Sequence, residues 1–391
     1  MFQRFRKLVF WLHLVAGVAA GLVILVMAST GVLLSFERQL TTAADGFEFS
    51  TSGEKLPPEA LTASLQAAGL KGATGLTLSS DATKPAAFQF GKEKTVFVHP
   101  VTGEVLGEGG KKTRSFFKFV TGLHRWLAMA GPAQEAGKSI TAAAALVFLF
   151  LIPSGLLLWI PKRWTRQGVK AITTIQPQLK GRARDWNWHN VLGIWFALPL
   201  LVITTTGVVM GYPWANGLLF KLAGETAPPA GGPPGGRGGP QGGREGQQGG
   251  RGGPQGERGG SQPGVSTTGW NQALAAVTAN RSGWETIQFQ FPAGKEIVFQ
   301  VSNSHRGRPD LRESVTVDLG TAAIIKAEGF SQMSQGKRWR NWVRWIHTGE
   351  AGGWAGQLLA GLTAMAAATL VWTGLALSWR RWRRSRAKAK A

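Results

Sequence analysis

The stretch Asp185–Tyr212, DWNWHNVLGIWFALPLLVITTTGVVMGY, decides how the rest of the chain is read. From Val191 to Gly211 it carries no charged residue. At about 1.5 Å per residue, a helix of that length crosses a hydrocarbon core of roughly 30 Å. It opens with His189, and an ionisable side chain at the edge of hydrocarbon points to function, because it needs a partner there. The first apolar stretch repeats the pattern. His13 is followed by Gly17 and Gly31, as His189 is followed by Gly193 and Gly207. The distal spacing is the same in both copies (31 − 13 = 18 and 207 − 189 = 18), and the distal glycine sits in STGV and in TTGV. Eighteen residues make about five turns, so on a straight helix the histidine and the distal glycine share one face.

Working outward, four long apolar segments emerge near Leu8–Phe36, Ser139–Ile160, Val191–Gly211 and Trp354–Trp379. A soluble-looking stretch follows the first segment and another follows the third, so the near-zero mean hydropathy averages two populations. The net charge of +23 is placed for a membrane rather than for nucleic acid. Arg4, Arg6 and Lys7 precede the first segment, seven Lys and Arg from Lys162 to Arg184 join the second to the third, and Arg380–Lys390 follows the fourth. Short basic loops stay cytoplasmic, which puts both termini and the central loop inside and the two large stretches outside. All of the tryptophans except Trp270 and Trp284 lie in or beside the apolar segments, as an interfacial belt requires. The basic N-terminus leads into an apolar run too long for a cleaved signal peptide, so it reads as a retained helix. There is no cysteine, which excludes disulfides, thiolate-bound clusters and haem attached through C-x-x-C-H.

Both polar stretches read as small α+β modules. In the first, Pro57–Leu70 is a helix with proline in its opening turn. Strands follow at Gly75–Ser79, Ala86–Phe90 and Thr95–His99, with a turn and a last strand in Val101–Gly107. The second repeats the order, with a helix near Trp270–Thr278 and strands near Glu285–Phe291, Glu296–Val301, Ser314–Val317 and Ala323–Ala327. An insert at 227–264, rich in Gly, Pro, Gln and Arg, lacks the apolar side chains for a core and reads as a linker. The second and fourth apolar segments also match. Leu123-His124 pairs with Ile346-His347, and SGLLLW at Ser154–Trp159 pairs with TGLALSW at Thr373–Trp379. Gly131-Pro132 in one copy and Thr348–Gly353 in the other are expected to break the helix after the histidine.

The expected fold is therefore a mainly α membrane protein: a four-transmembrane-helix bundle from a tandem repeat, with two small α+β modules outside. The first half divides into a first transmembrane helix (1–40), an outer module (41–113), and an interfacial helix with the second transmembrane helix (114–161). A basic cytoplasmic loop (162–184) leads to the third transmembrane helix (185–213) and the second outer module (214–337). An interfacial helix with the fourth transmembrane helix (338–381) and a basic cytoplasmic tail (382–391) complete the chain.

This topology sorts four histidines into two levels. His13 and His189 fall near the cytoplasmic ends of outward-running helices, and His124 and His347 near the outer surface. Paired histidines on facing helices are what a bis-histidine b-type haem needs, with glycines giving a flat ring room to approach the backbone. The expected cofactors are two haem b groups, with iron ligands His13 with His189 and His124 with His347. Gly17, Gly31, Gly193 and Gly207 would form the slots. Arg125 and Arg344, beside the outer histidines, would neutralise propionates or serve as interfacial arginines. A zinc or copper site is the competing metal reading, but it would gather its ligands at one level. His99 and His305 join no pair and are expected at the surface.

His13-x-x-x-Gly17, LHRW at Leu123–Trp126, WNWHNVLG at Trp186–Gly193 and IHTGE at Ile346–Glu350 together resemble the PepSY-associated transmembrane helix family. The outer modules resemble PepSY domains, most clearly in HPVTGEVLG at His99–Gly107, although the family usually has Asp where His99 stands. The resemblance implies a di-haem protein akin to inner-membrane ferric siderophore reductases, with His13, His124, His189 and His347 as haem ligands. No Gly-rich nucleotide fingerprint follows a strand, so the expected donor is a separate cytoplasmic reductase or a quinol. The leading expectation is an inner-membrane oxidoreductase that passes electrons outward to a ferric siderophore. A membrane-tethered PepSY binding or regulatory protein, and a quinol-linked carrier for another periplasmic reductase, remain open. The lipid bilayer is an expected partner and nucleic acid is not.

Overall fold

The computed structural model describes residues 2–47, 49, 53–91, 94–161, 163–228, 266–279, 281–304 and 307–390. The glycine-rich insert beyond residue 228, and His305, lie outside the described residues. The helices are α1 (Phe2–Ser35), α2 (Glu37–Asp45), α3 (Pro58–Ala67), α4 (Lys111–Trp126), α5 (Ala133–Trp159) and α6 (Arg166–Thr173). They continue with α7 (Gly181–Trp195), α8 (Ala197–Gly211), α9 (Pro213–Leu222), α10 (Trp270–Ala279), α11 (Gln335–His347) and α12 (Gly353–Lys390). Strands β1 (Gly75–Ser79), β2 (Ala86–Phe90), β3 (Lys94–Val98) and β4 (Val105–Gly107) follow α3. Strands β5 (Thr286–Gln290), β6 (Glu296–Ser302), β7 (Arg312–Asp318) and β8 (Ile324–Gly329) follow α10. The chain forms a helical unit (Met1–Thr41, Lys112–Ala230, Gln335–Ala391) and a sheet unit (Thr42–Lys111, Gly231–Ser334).

In the helical unit, three stretches are long and apolar enough to cross a membrane: Gln3–Ser35, Ala133–Trp159 and Glu350–Ala387. Helices α7 and α8 make a fourth span only as a pair bent by 70°. A straight helix through this stretch is therefore not what forms, and the shared-face argument for His189 and Gly207 fails there. The cause is Pro199. It has no N–H for the carbonyl four residues back, at Trp195, and its ring crowds that carbonyl, which is where α7 stops. Helix α1 packs on α5 and α12, α7 on α12, and α8 on α5. Ala28, Ile152, Leu200, Ala367 and Leu370, drawn from α1, α5, α8 and α12, form one buried cluster. Small and branched residues let the helices approach where lipid gives no hydrophobic push between them.

The start of α7 is fixed by polar contacts. Buried Asn187 donates to the Ala171 and Thr174 carbonyls at 2.7 and 3.0 Å and accepts from the Gln176 amide at 3.0 Å. Asp185, also buried, pairs with Arg184 at 2.9 Å and with Arg380 of α12 at 3.0 Å. The contact with Arg380 is an ion pair off the angle of a good hydrogen bond.

The sheet unit is one antiparallel sheet of eight strands in the order β4-β3-β2-β1-β5-β6-β7-β8. Both polar stretches of the sequence feed it, four strands each, and they join where β1 pairs with β5 from Gly75↔Gln290 to Ser79↔Thr286. Alternating residues such as Leu76, Phe88, Ile287, Phe289, Phe299 and Val315 meet Leu61 and Leu65 of α3 and Trp270 and Val277 of α10 in a single core. Each such large side chain contributes roughly 1.5–3 kcal/mol on burial. The two helices also cap each other. Asn271 Oδ1 accepts from the Glu59 amide, and Glu59 Oε1 accepts from the Asn271 amide, both at 3.2 Å. At the seam Gly75 has no room for a side chain, since a Cβ would meet the Phe289 carbonyl at 2.9 Å.

His99 departs from its expected surface position and is 8% exposed. Its Nδ1 accepts from the amides of Val101 and Thr102 at 3.2 and 3.1 Å. An Asp side chain closes turns by accepting from amides two and three residues on in the same way.

Candidate functional site

All four histidines of the two levels sit in the helical unit, and each meets the same local structure on another helix. His13 Nδ1 lies 2.8 Å from Ser154 Oγ of α5. His124 Nδ1 lies 2.9 Å from Thr30 Oγ1 of α1. His189 Nδ1 lies 3.1 Å from Thr373 Oγ1 of α12 and 3.1 Å from the Leu370 carbonyl. His347 Nδ1 lies 3.1 Å from Thr206 Oγ1 of α8 and 2.9 Å from the Ile203 carbonyl. At every one of the four, Nδ1 is engaged and Nε2 is the nitrogen left to ligate.

The residue after each hydroxyl is a glycine, and it makes room for the imidazole. A Cβ on Gly155 would stand 3.3 Å from His13 Cε1, on Gly31 3.6 Å from His124 Cε1, on Gly207 3.2 Å from His347 Cε1, and on Gly374 3.4 Å from His189 Cε1. Gly31 and Gly207 thus lie beside the histidines of the other level, carried on different helices. Gly17 and Gly193 do not touch a histidine. A Cβ on Gly17 would have Leu151 nearest at 4.0 Å, and one on Gly193 would have Leu370 nearest at 3.8 Å. Sequence reasoning missed Ser154, Gly155, Thr373 and Gly374 as partners, although the matched SGLLLW and TGLALSW segments contained them.

The rings of His124 and His347 lie with centroids 6.5 Å apart and planes inclined at 65°. Along α1, the seventeen residues from His13 to Thr30 (30 − 13) separate the levels by about 26 Å. The Ala28–Leu370 cluster belongs to the helices that join them. Among the described residues, no three His, Asp or Glu side chains gather as a closed metal site would ask.

Two breaks hold the second level. Helix α4 ends two residues after His124, and Leu127 and Ala128 both take φ of 55°. Left-handed backbone costs an L-residue roughly 1–2 kcal/mol, so this turn is held against its own preference. Thr141 of α5 does part of that by donating to the Arg125 carbonyl at 2.7 Å. Helix α11 ends on His347, and Gly349 then turns with φ 75°. A Cβ there would run into the Gly356 carbonyl, so this turn requires glycine. Arg125 and Arg344 take equivalent places, each guanidinium over the next indole, at 5.0 Å from Trp126 and 4.9 Å from Trp345.

No curated protein matches the chain. A family model for the PepSY-associated TM region, however, matches residues 10–381, from just before His13 to the start of the basic run that ends the last span. The chain is a mainly helical membrane protein with three to four membrane-crossing helices and a separate antiparallel sheet, and it belongs to the PepSY-associated TM family.

Proposed function

We propose that the chain carries electrons across the bacterial inner membrane through two b-type haems, one between His13 and His189 and one between His124 and His347. The observation that carries the reading is the second-level pair. Two imidazoles on one iron place their ring centres about 6 Å apart, given metal–nitrogen bonds of about 2 Å. His124 and His347 stand at 6.5 Å with their Nδ1 atoms turned to Thr30 and Thr206. The donor set fits as well: neutral imidazoles, two per level, with no cysteine in the chain. When bound, haem supplies one-electron chemistry at iron that no side chain here provides.

The chain's own residues do the rest. Helices α1, α4, α7 and α11 supply the imidazoles, α1, α5, α8 and α12 supply their seats, and the apolar cluster of Ala28, Ile152, Leu200, Ala367 and Leu370 packs α1, α5, α8 and α12 together. The basic ends place His13 and His189 on the cytoplasmic side and the sheet unit in the periplasm. An electron moving outward then gains roughly 2.3 kcal/mol per 100 mV of membrane potential. The donor is a cytoplasmic reductase or a quinol. The acceptor is a ferric siderophore: its hard oxygens hold Fe(III) tightly and Fe(II) weakly, so one electron releases the metal.

A reduced-minus-oxidised spectrum with a pyridine haemochrome assay tests this. Two non-covalent, low-spin haems per chain are expected, and ferric siderophore should reoxidise the reduced protein. His13→Ala and His189→Ala should each remove one haem, and His124→Ala and His347→Ala the other. A folded, colourless protein from haem-replete cells overturns the reading.

A further inference from the structure

We propose that the four dipeptides Thr30-Gly31, Ser154-Gly155, Thr206-Gly207 and Thr373-Gly374 are positioning elements that hold every imidazole in one tautomer, with hydrogen on Nδ1 and the Nε2 lone pair presented to iron. The proposal rests on the reading of the four histidines as ligands, and its argument is a count of protons. A hydroxyl has one hydrogen to give. Each of these hydroxyls spends it on its own helix: Thr30 toward the Val26 carbonyl at 2.7 Å, Ser154 toward Phe150 at 2.8 Å, Thr206 toward Val202 at 2.8 Å, and Thr373 toward Thr369 at 2.7 Å. What the hydroxyl then offers Nδ1 is a lone pair, so Nδ1 must bring the hydrogen.

Carbonyls confirm the sign at two positions. Leu370 faces His189 and Ile203 faces His347, and a carbonyl can only accept. A ring that donates from Nδ1 is a more basic ligand at Nε2, and such outer partners tune a metal's reduction potential. At His13 the Nδ1 meets the Ser154 hydroxyl alone among the described residues. The hydroxyl of Ser154 therefore decides the tautomer of that one ligand, without a carbonyl to back it. The glycine half of the dipeptide lets the hydroxyl helix come close enough to reach.

Ser154→Ala is the direct test, with Ser154→Thr as the conservative variant that copies the other three seats. Spectroelectrochemical titration of the full-length protein should show the His13/His189 haem shifted to higher midpoint potential in Ser154→Ala. The His124/His347 haem should be unchanged, and Ser154→Thr should restore the wild-type value. Ring-nitrogen shifts of the haem-depleted, ¹⁵N-histidine-labelled chain give a readout that needs no haem: Nδ1–H at all four sites, with His13 alone changed in Ser154→Ala. Unchanged potentials and unchanged His13 shifts in Ser154→Ala overturn the proposal, as does failure of Ser154→Thr to restore them. If the purified protein holds no haem, the electron-transfer reading fails, while the nitrogen shifts still decide the tautomer.

Discussion

Gly207 and His99 show at single-residue scale how close packing and polar geometry fix this molecule. A Cβ on Gly207 would stand 3.2 Å from His347 Cε1, so a branched side chain there must push the imidazole aside. Overpacking of this kind costs about 1–3 kcal/mol. Gly207→Leu should alter or abolish the His124/His347 haem spectrum and leave the His13/His189 spectrum intact. Loss of expression with both spectra unchanged in the surviving protein would mean that the glycine serves helix contact alone. At His99, replacement by Ala strips the Val101 and Thr102 amides of their acceptor and should cost roughly 1–3 kcal/mol. His99→Asp should keep both bonds and stay near wild-type stability, which thermal denaturation of the two variants will check. His13, His189 and the distal glycines were legible in the sequence because they repeat at a fixed spacing, and His124 and His347 because similar residues precede both. Their partners were not: Ser154 is 141 residues from His13, and periodicity along one helix says nothing about which neighbour it will meet. His99 misled because a polar residue before proline looks like a surface turn, and only the fold shows its ring nitrogen closing that turn.

Among the elements, the α7–α8 pair carries the most. The apolar run through it is continuous, so hydropathy alone gives one straight span, while Pro199 was the legible signal for the 70° bend. The bend separates two duties: α7 presents His189, and α8 presents Thr206-Gly207 to His347. Pro199→Ala returns an N–H for the Trp195 carbonyl and removes the clash that ends α7. The expected result is a shifted His124/His347 spectrum with the His189 level little changed, because α7 is pinned separately by Asn187 and Asp185. Equal disturbance of both levels would show that the pinning does not isolate them. Strands were easier to read than this helix. Alternation placed β1 and β2 at the residues where they form, since a sheet with one buried face writes its period into the chain.

For the whole molecule, the seam between β1 and β5 was invisible beforehand, because pairing between segments so far apart leaves no local pattern. It joins the strands of both polar stretches into one sheet. Gly75→Val would force a side chain against the Phe289 carbonyl and the Gln89 and Gln290 side chains, each 2.9 Å from its Cβ. Hydrogen exchange should then quicken in β1 and β5 together, whereas independent modules would lose protection in β1 alone. The seam also sets a clock. From Gly107, where β4 ends, to Thr286 the chain runs on for 179 residues (286 − 107), and at roughly 5–20 residues per second of synthesis this takes about 9–36 s. Throughout that interval the half-sheet from β4 to β1 waits with one flank of backbone donors and acceptors unanswered, open to any passing strand. The newborn protein thus has a vulnerable age, and it ends only when β5 arrives.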